Sequence, residues 1–515
     1  MHRLSSERRQ RASATKNGSP LSFHFSHHTC RTLVLIFCAF SVLAADAAPF
    51  LTKSGHDVAG PYRVLRITPS DEDQLAALAT LSKNASAYDL DFWHSPLRVN
   101  ASIDVMVGPT KFADFQHFLG RHSLQYRLTI PDVQKLIESK QSLRQKGKSL
   151  NGASGNFSRR LKDDSGSPFN VYRYHSYPEI QQWMTDLEKR YPNLARVFTI
   201  GTTHEGRPIQ LLKVGSPASE STSKRAFWID GGIHAREWVA HSTALYFIDQ
   251  LVNNYYTDQI IRQYMDQIDW YILPVVNPDG YEYSRSSNHP KTRLWRKNRS
   301  PNACKFSNNP HCCQGVDLNR NFDFHWNQVG ASNDPCDETY AGSSAFSEPE
   351  TRAIRDFILY RPGRFDGFIT LHSYSQIWMY PWGHQRNSYP TDVKDLQAVA
   401  IQAKRALQTN YGTKYVVGTG ADTLYPASGG SDDWAKESAA IKYVYLVELR
   451  PEEHIYDGFI LDESLIVPTA RETWDGIKIV ADAILTMNGI KPLNPQPRKS
   501  GDESQSAITE DEASA

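Results

Sequence analysis

The sequence predicts an α/β protein with a mixed, mostly parallel central sheet flanked by helices, preceded by a small α+β domain. Between residues 165 and 488, apolar segments without polar alternation are separated by long amphipathic segments, which is the pattern of buried strands joined by helices. Residues 49–140 contain shorter strand and helix patterns of their own. A stretch rich in Gly, Ser, Asn, Lys and Arg separates the two regions, and it indicates an exposed linker over residues 141–164.

The composition is that of a globular protein and excludes some classes of partner. Of the 515 residues, 40% are hydrophobic and 22% are charged, and the formal net charge is +1. This length suggests two or three domains. Because there is no excess of positive charge, we expect neither nucleic acid nor an anionic membrane as partner. We also expect a monomer.

The N-terminus predicts a signal peptide over residues 1–48. Several arginines precede the apolar run 32–44, and the small residues that follow it supply a cleavage site. The run is shorter than the roughly 20 residues that a membrane-spanning helix needs. We therefore expect a secreted, extracellular protein without stable membrane insertion. An uncleaved signal anchor is the alternative, because the basic region is long.

Two further features agree with an oxidising, extracellular setting. Four cysteines cluster in one region, which favours disulfides: Cys304, Cys312, Cys313 and Cys336. A structural zinc site is the competing interpretation, although the adjacent pair of cysteines lacks the C-x-x-C spacing of such sites. Possible N-glycosylation acceptors are Asn84, Asn100, Asn156 and Asn298.

The small domain is predicted to contain three strands and two helices. The strands follow from their apolar patterns and the helices from apolar residues at helical spacing, with a cap for the first helix at residues 70–72. In chain order these are a strand over 62–67, a helix that contains Leu75, Leu78 and Leu81, a strand over 103–107, a helix over 112–118 and a strand over 124–130. The domain contains no evident cluster of metal ligands or acid–base groups.

The linker over residues 141–164 is a candidate cleavage site. It contains Arg159, Arg160 and Lys162, and exposed basic residues in flexible backbone are where trypsin-like proteases cut. Because the chain is predicted to be secreted and has a small domain ahead of a larger one, we expect activation by such a protease. A linker that is never cut is the alternative.

The large domain, residues 165–488, is predicted to alternate strands with long helices. The strands are residues 195–200, 209–214, 225–230, 268–273, 368–371 and 442–447, and the helices include residues 238–253, 347–359, 392–411 and 468–487. Residues 489–515 form a polar tail that we predict to be disordered.

Side chains that could bind a metal follow several of these strands. His234 and Glu237 come after the strand over 225–230, and His372 comes directly after the strand over 368–371. In an open α/β sheet, ligands bind at the carboxyl edge of the strands. Taken alone, His234 and Glu237 also fit a solvated histidine beside a capping glutamate. His372 alone also fits a hydrogen-bonded histidine of the core. Together the three are the His₂Glu set of a catalytic zinc site.

Six motifs carry a resemblance to a known family. They are His234-Ala-Arg-Glu237-Trp, Trp295-Arg296-Lys297, Gly315-Val-Asp317-Leu-Asn319-Arg320-Asn321, Leu371-His372-Ser-Tyr-Ser-Gln376, Tyr425-Pro-Ala-Ser-Gly-Gly-Ser-Asp432-Asp433-Trp434 and Val447-Glu448-Leu449-Arg450. In their order and approximate spacing, the sequence resembles the zinc metallocarboxypeptidases of the pancreatic A/B type. The resemblance implies the metallocarboxypeptidase fold for residues 165–488, a ferredoxin-like inhibitory propeptide for 49–140 and an activation linker for 141–164.

The resemblance also implies one Zn²⁺ in the large domain. His234, Glu237 and His372 match the zinc ligands, and Glu448 matches the general base. This role agrees with the chemistry, because a carboxylate near the metal can take a proton from water whose pKa zinc has lowered towards about 7. The alternative for Glu448 is a structural ion pair with Arg450.

Five more residues match the family's substrate contacts. Arg296 matches the group that polarises the scissile carbonyl and stabilises the oxyanion. Asn319 and Arg320 match the clamp on the substrate's C-terminal carboxylate, for which a planar guanidinium is suited. Tyr425 matches the mobile tyrosine that closes over the bound residue, and Arg236 matches a subsidiary arginine on the route of the carboxylate.

The resemblance places Asp432 at the floor of the pocket for the last side chain of the substrate. The B-type enzymes have an aspartate there and the A-type enzymes an aliphatic residue, while Gly383 and Gly420 match small residues that leave the pocket deep. We therefore expect a preference for C-terminal Lys or Arg. In the alternative, Asp432 turns outward, Asp433 has a structural role, and the preference is for aromatic or aliphatic ends.

The sequence thus predicts a secreted zinc-dependent zymogen that hydrolyses the C-terminal peptide bond of peptides and proteins. A zinc-binding, non-catalytic interaction protein is the alternative, although every catalytic position of the family is retained. The family pattern pairs Cys313 with Cys336. Cys304 and Cys312 are then left to pair with each other.

Overall fold

The computed structural model describes most of the two predicted domains. The described residues are 60–96, 98–140, 169–217, 224–301, 313–361, 364–453, 455 and 457–494. Several predictions lie outside them: the signal peptide, the linker over 141–164, Asn156, Cys304, Cys312, and the tail after residue 494.

The small domain is an antiparallel four-stranded sheet with two helices. Its strands are β1 (Arg63–Thr68), β2 (Leu90–Phe92), β3 (Ile103–Val107) and β4 (Gln125–Ile130), and its helices are Glu72–Ser82 and Phe112–Arg121. The sheet order is β2-β3-β1-β4. Asp71 caps the first helix as predicted, since its side chain accepts from the backbone N of Gln74. Residues 133–140 are also helical. The sequence missed β2, which has only three residues.

The large domain is built on an eight-stranded mixed sheet. Its strands are β5 (Ala195–Thr202), β6 (Pro208–Val214), β7 (Arg225–Gly231), β8 (Ile268–Leu273), β9 (Phe365–Ser375), β10 (Ile377–Tyr380), β11 (Val416–Thr419) and β12 (Tyr443–Glu452). The order is β11-β10-β12-β9-β7-β8-β6-β5. The four central strands β12, β9, β7 and β8 are parallel, and antiparallel pairs flank them. The predicted fold class is confirmed.

Helices cover the sheet and bury its central strands. Their bounds are Tyr177–Arg190, Trp238–Asn254, Gln259–Gln267, Pro278–Arg285, Pro290–Arg293, Pro349–Leu359, Val393–Tyr411, Gly420–Thr423, Ser431–Glu437 and Ile466–Met487. Every residue of β8 and β9 is buried, as expected for central strands of a parallel sheet that is covered on both faces. In the described part of the chain, no helix is both long enough and apolar enough to cross a membrane.

Two predicted site residues lie inside strands, not after them. His372 is in β9 and Glu448 is in β12, because both strands continue beyond the segments predicted from the sequence. Strand β7, by contrast, ends at Gly231. There the chain must turn away, and Gly232 has a φ of 69°, a conformation that favours glycine. A side chain at Gly232 would overlap the ring of His241.

The small domain packs on the large domain next to the metal-capable residues. Trp93 packs against Phe459 and Tyr374, with ring centroids 5.4 Å and 6.5 Å away. The phenol of Tyr374 donates to Asp104 at 3.0 Å. At the end of the small domain, Lys140 pairs with Asp457 of the large domain at 2.8 Å.

One predicted glycosylation acceptor is wrong for the folded protein. Asn298 is fully buried, and its amide nitrogen donates to Glu348 at 2.7 Å and to Glu350 at 3.0 Å. A glycan on this nitrogen would replace one of the two N–H donors, and a fully buried side chain leaves no room for it. Asn84 and Asn100 are exposed, so they stay candidates.

The predicted disulfide between Cys313 and Cys336 is present. It closes a segment with a sequence separation of 23 residues, and this segment contains Asn319 and Arg320 but none of the three predicted zinc ligands. Loss of the crosslink should therefore affect the substrate clamp more than the metal site.

We predict that Cys313→Ser/Cys336→Ser keeps one zinc per chain but loses at least about 10-fold in kcat/KM after activation. A crosslink over a loop of this size stabilises by about 3 kcal/mol, mainly by restricting the unfolded chain, and the clamp segment becomes free to move. Metal analysis and peptide hydrolysis on the same sample measure both effects. Full activity in the double variant would contradict the prediction.

Candidate metal centre and substrate pocket

The three predicted zinc ligands converge on one point. His234 and Glu237 come from the turn after β7, and His372 comes from the neighbouring strand β9. One potential ligand atom from each lies within 4.8 Å of the other two. All three side chains are buried. The turn and the parallel strand pair thus assemble a site from residues 138 positions apart.

The geometry of these atoms fits a zinc ion. Nδ1 of His234 lies 3.2 Å from Nδ1 of His372 and 2.7 Å from Oε1 of Glu237, and Oε2 of Glu237 lies 3.3 Å from Nδ1 of His372. A tetrahedral zinc with bonds of about 2.0–2.1 Å needs ligand atoms roughly 3.3 Å apart. Electron-rich atoms that face one another at these distances are stabilised by a cation or a proton between them, and three such atoms around one point suit a metal ion.

The outer nitrogen of each histidine is held by a partner behind it. Nε2 of His234 donates to Oδ1 of Asp317 at 3.1 Å. Nε2 of His372 lies 3.2 Å from the hydroxyl of Thr370, which donates to Asp230 at 2.7 Å. These contacts place the proton of each ring on Nε2 and leave Nδ1 free for a metal.

Burial and neighbouring charges favour the metal-binding protonation states of His234 and Glu237. Burial lowers the pKa of His234, and the nearby Arg296 lowers it further, so the imidazole stays neutral. Burial alone would raise the pKa of Glu237, but His234 and His372 hold it well below its usual range. Burial alone would lower the pKa of His372, but its contact with Glu237 raises it. Neutral imidazoles and an ionised carboxylate are the forms that ligate zinc.

Glu448 stands beside His372 in the sheet. The two residues are direct partners in the parallel pairing of β12 with β9. Oε2 of Glu448 is buried without a hydrogen-bond partner among the described residues, and burial raises the pKa of this carboxyl to about 8. Arg450 pairs with Glu472, with Nε 2.7 Å from Oε1. The alternative of an ion pair between Glu448 and Arg450 is therefore wrong.

Asp317 joins the metal centre to Arg296, and the sequence analysis gave it no role. Its Oδ2 accepts from Nε and Nη2 of Arg296 at 3.1 Å and 2.8 Å, while its Oδ1 accepts from His234 and from the backbone N of Asn319. Burial opposes its ionisation, but Arg296 and His234 hold the pKa of Asp317 well below its usual range. The only sequence signal was its place two residues before Asn319.

The predicted carboxylate clamp lies at the same cavity. Asn319 and Arg320 form a short helical turn, and Oδ1 of Asn319 accepts from the backbone N of Ser431 at 2.9 Å. Nε of Arg320 donates to the carbonyl of Gly330 at 2.7 Å, which fixes the guanidinium. Tyr425, which is partly exposed, also lines the cavity.

Nine of the ten predicted site residues line one cavity, and Arg236 does not. The nine are His234, Glu237, Arg296, Asn319, Arg320, His372, Tyr425, Asp432 and Glu448. Arg236 is buried; its Nη1 lies 3.1 Å from both carboxylate oxygens of Asp91, and its guanidinium lies over the ring of Phe459. Asp91 belongs to the small domain, so Arg236 is engaged by that domain in this form.

The small domain also covers the cavity. Trp93 and His94 line it together with the metal-capable residues. They lie two and three residues after Asp91 in the chain, so one short segment both engages Arg236 and closes the opening. A peptide cannot reach the metal centre along this side while the segment is in place.

The two adjacent acids of the pocket have different surroundings. Asp433 accepts from the backbone N of Gly383 at 2.8 Å and of His384 at 3.0 Å. Asp432 lines the cavity, and no lysine or arginine among the described residues forms an ion pair with it. Burial raises the pKa of Asp432 to about 7, and the charge of Asp433 adds to the shift.

Comparison with known families identifies the protein class. Residues 180–476 match the family described as zinc carboxypeptidase, and residues 65–140 match the carboxypeptidase activation peptide. The chain belongs to the zinc carboxypeptidase family. Zinc is the cofactor of this family, and the His₂Glu group described above fits it.

Relatives of both specificity types resemble this zinc carboxypeptidase. It is 43% identical to carboxypeptidase B of Astacus astacus over 311 residues, covering 60% of this chain and 97% of the relative. It is 38% identical to carboxypeptidase A2 of Mus musculus, covering 82% of this chain and 93% of the relative. The crystal structure of the carboxypeptidase A from Helicoverpa armigera aligns with a TM-score of 0.71 at 30% identity, covering 84% of this chain and 99% of that one.

The family and the activation peptide together define the activity. This zinc carboxypeptidase removes C-terminal residues from peptides, and its activation peptide makes the uncut chain a zymogen. Because A-type and B-type relatives both match, the likeness does not decide which C-terminal residue is preferred.

We predict that Asp317→Asn lowers zinc affinity by about 10- to 100-fold, the usual cost of losing a partner behind a metal ligand. An amide cannot match the charge that orients His234 and Arg296, so kcat/KM falls as well. Competition with a chromogenic chelator measures the affinity. Asp323→Asn, an exposed acid of the same segment, is the matched control; equal loss in both variants would contradict the role of Asp317.

We predict that Asp91→Asn raises the turnover of uncut zymogen at least about 10-fold. The change leaves Arg236 buried without its charged partner, which is strongly unfavourable, so the small domain opens more often. Hydrolysis by uncut protein, verified by electrophoresis, measures the effect. Asp114→Asn is the control, because among the described residues Asp114 forms an ion pair only with Lys111 of its own domain. Unchanged basal turnover in Asp91→Asn would argue against the contact as a restraint.

Proposed function

We propose that this chain is a secreted zymogen that, after cleavage of its linker by a trypsin-like protease, removes C-terminal Lys or Arg from peptides and proteins. The carboxylate of Asp432 in the cavity is the observation that carries the proposal. It is buried beside the metal centre and has no basic partner among the described residues.

The preference follows from the charge of the pocket. A cationic side chain of the substrate would compensate Asp432, whereas a neutral one would leave a buried carboxylate unpaired. Such a loss amounts to on the order of 10²–10³-fold in rate. Asp433 cannot take over this role, because its carboxylate is committed to the backbone of Gly383 and His384.

In the proposed reaction, the protein's own side chains bind the peptide and move the proton. Arg320 and Asn319 hold the terminal carboxylate, and Tyr425 closes over the last residue. Zinc, when bound, lowers the pKa of water and polarises the scissile carbonyl. Glu448 takes the proton of the attacking water and delivers it to the leaving amine, while Arg296 stabilises the oxyanion.

The zymogen form agrees with the contacts of the small domain. We propose domain limits of 49–140 for the propeptide, 141–164 for the activation linker and 165–488 for the catalytic domain. Arg159, Arg160 and Lys162 are the basic residues where we expect cleavage. When the propeptide leaves, Arg236 loses Asp91 and becomes available to the carboxylate of the substrate.

Secretion is supported by the predicted signal peptide over residues 1–48 and by the disulfide between Cys313 and Cys336, since disulfides persist in oxidising compartments. The same setting permits glycans at Asn84 and Asn100.

The test is hydrolysis of matched peptides ending in Arg, Lys, Phe or Leu, before and after limited trypsin treatment, with and without a zinc chelator. We expect chelator-sensitive cleavage of the basic ends that appears only after trypsin. Glu448→Gln should keep its zinc and lose nearly all activity. Faster cleavage of Phe would overturn the basic preference, and absence of all cleavage would favour a non-catalytic zinc protein.

We predict that the preference for Arg over its uncharged analogue citrulline falls as the pH drops through about 7. Burial and Asp433 raise the pKa of Asp432 to about 7, with a smaller opposing effect of His372, so the carboxylate is ionised above this pH and neutral below it. The measurement is kcat/KM for the Arg peptide divided by kcat/KM for the citrulline peptide, because kcat/KM reports the ionisations of the free enzyme. The effect of any group whose titration changes both values equally cancels in this ratio.

Asp432→Asn is the control for this titration. It should lower the ratio by on the order of 10²–10³-fold at pH 8 and make it independent of pH. A pH-dependent ratio that persists in the variant would show that another group titrates.

A further inference from the structure

A second group of potential metal ligands lies apart from the catalytic cavity. It consists of His204, in the turn between β5 and β6, and of Glu348 and Glu350, where the helix Pro349–Leu359 begins. One potential ligand atom from each lies within 4.8 Å of the other two. None of the three lines the cavity that contains the catalytic ligands. No sequence motif brings them together, because 144 positions separate His204 from Glu348.

The two carboxylates of this group are buried around one amide. Nδ2 of Asn298 donates to Oε2 of Glu348 at 2.7 Å and to Oε2 of Glu350 at 3.0 Å. Oε1 of Glu348 accepts from the hydroxyl of Ser347 at 2.7 Å, but Oε1 of Glu350 is buried without a hydrogen-bond partner among the described residues. A buried carboxylate oxygen without a partner is unfavourable, so the group lacks a contact that a cation would supply.

Basic side chains do not balance the charge of the two glutamates. In the described part of the chain, no lysine or arginine forms an ion pair with Glu348 or Glu350, and Arg207, in the same turn as His204, pairs with Asp279 at 2.6 Å. Nε2 of His204 lies 2.9 Å from Oε2 of Glu348, and this imidazole contributes at most one positive charge. Two buried carboxylates therefore face at most one cation, and a divalent metal ion would neutralise both.

We propose that His204, Glu348 and Glu350 bind a second zinc ion, distinct from the catalytic one. An imidazole nitrogen and carboxylate oxygens are ligands that zinc takes in proteins. The side chain of His204 is 25% exposed, so the ion can enter from solvent and a water molecule can serve as the fourth ligand. The metal replaces the proton between His204 and Glu348, and it gives the carboxylate of Glu350 the partner that it lacks.

The proposed ion restrains the segment that carries the substrate clamp. Oδ1 of Asn298 accepts from the backbone N of Val316 at 2.9 Å, and the backbone N of Glu348 donates to Oδ1 of Asn321 at 3.2 Å. Asn321 directly follows Arg320 of the clamp. Fixing the two glutamates therefore also fixes the backbone around the clamp. The second zinc has a structural role and takes no part in the proton transfer.

Titration of the uncut zymogen with buffered free zinc tests this proposal. The uncut form is used because Trp93 and His94 line the cavity and cover it, which keeps additional zinc away from Glu448. We expect two binding steps, each of one zinc per chain. Binding of a single zinc would overturn the proposal, because the second group is then held together by hydrogen bonds and a proton alone.

Two ligand variants assign the second step to this group. Glu350→Gln and, separately, His204→Asn should each weaken the second step by at least about 100-fold and leave the first unchanged, because losing a direct ligand costs more than losing a partner behind one. His204 lies in an exposed turn, so His204→Asn guards against a folding defect in Glu350→Gln. His117→Asn, at an exposed histidine of the small domain, is the matched control. A second step that survives in His204→Asn would refute the assignment.

Glu448→Gln and thermal unfolding complete the test. Glu448→Gln should keep both zinc steps, and loss of its second step would place the extra ion in the catalytic cavity and overturn the proposal. An ion that binds only the folded chain stabilises it. Free zinc sufficient to fill the second step should therefore raise the Tm of the zymogen by at least about 3 °C, and it should not do so in His204→Asn. An equal rise in both proteins would contradict the structural role.

Discussion

The parallel pairing of β9 with β12 is the constraint on which the site depends. It sets His372 beside Glu448, and the pairing of β9 with β7 brings the turn that carries His234 and Glu237 to the same place. A slip of one residue in either pair would turn a metal ligand or the acid beside it to the opposite face of the sheet. Packing on both faces of the central strands opposes such a slip, because it would exchange the side chains of the two packed faces and break their fit.

Asp317 positions the parts of the site that lie outside the sheet. One carboxylate binds the ring of His234, the guanidinium of Arg296 and the backbone of Asn319. The disulfide between Cys313 and Cys336 holds the same segment at its two ends. The residues predicted to bind the metal, the oxyanion and the substrate carboxylate therefore share one buried charge, which positions a segment with little regular structure against the rigid sheet.

Much of this architecture can be predicted from local sequence patterns. The remainder depends on contacts between residues that are far apart in the chain. Continuous apolar runs predicted β7 and β8 within a residue, and the motif resemblance located the residues of the cavity. Strands β10 and β11 were missed because four residues give no readable period. The role of Asp317 and the burial of Asn298 were hidden for a different reason: each depends on partners from other segments, which no local pattern reveals.

The ion pair of Lys140 with Asp457 lies at the last described residue before the linker. In the uncut chain, closure of the small domain is intramolecular, and the tether supplies a high effective concentration. Cutting after this point leaves every contact of the interface intact but makes reassociation bimolecular. Cleavage and loss of inhibition are therefore separate events. The degree to which a cut molecule is active therefore depends on dilution, so the concentration of the protein after cleavage becomes part of its control.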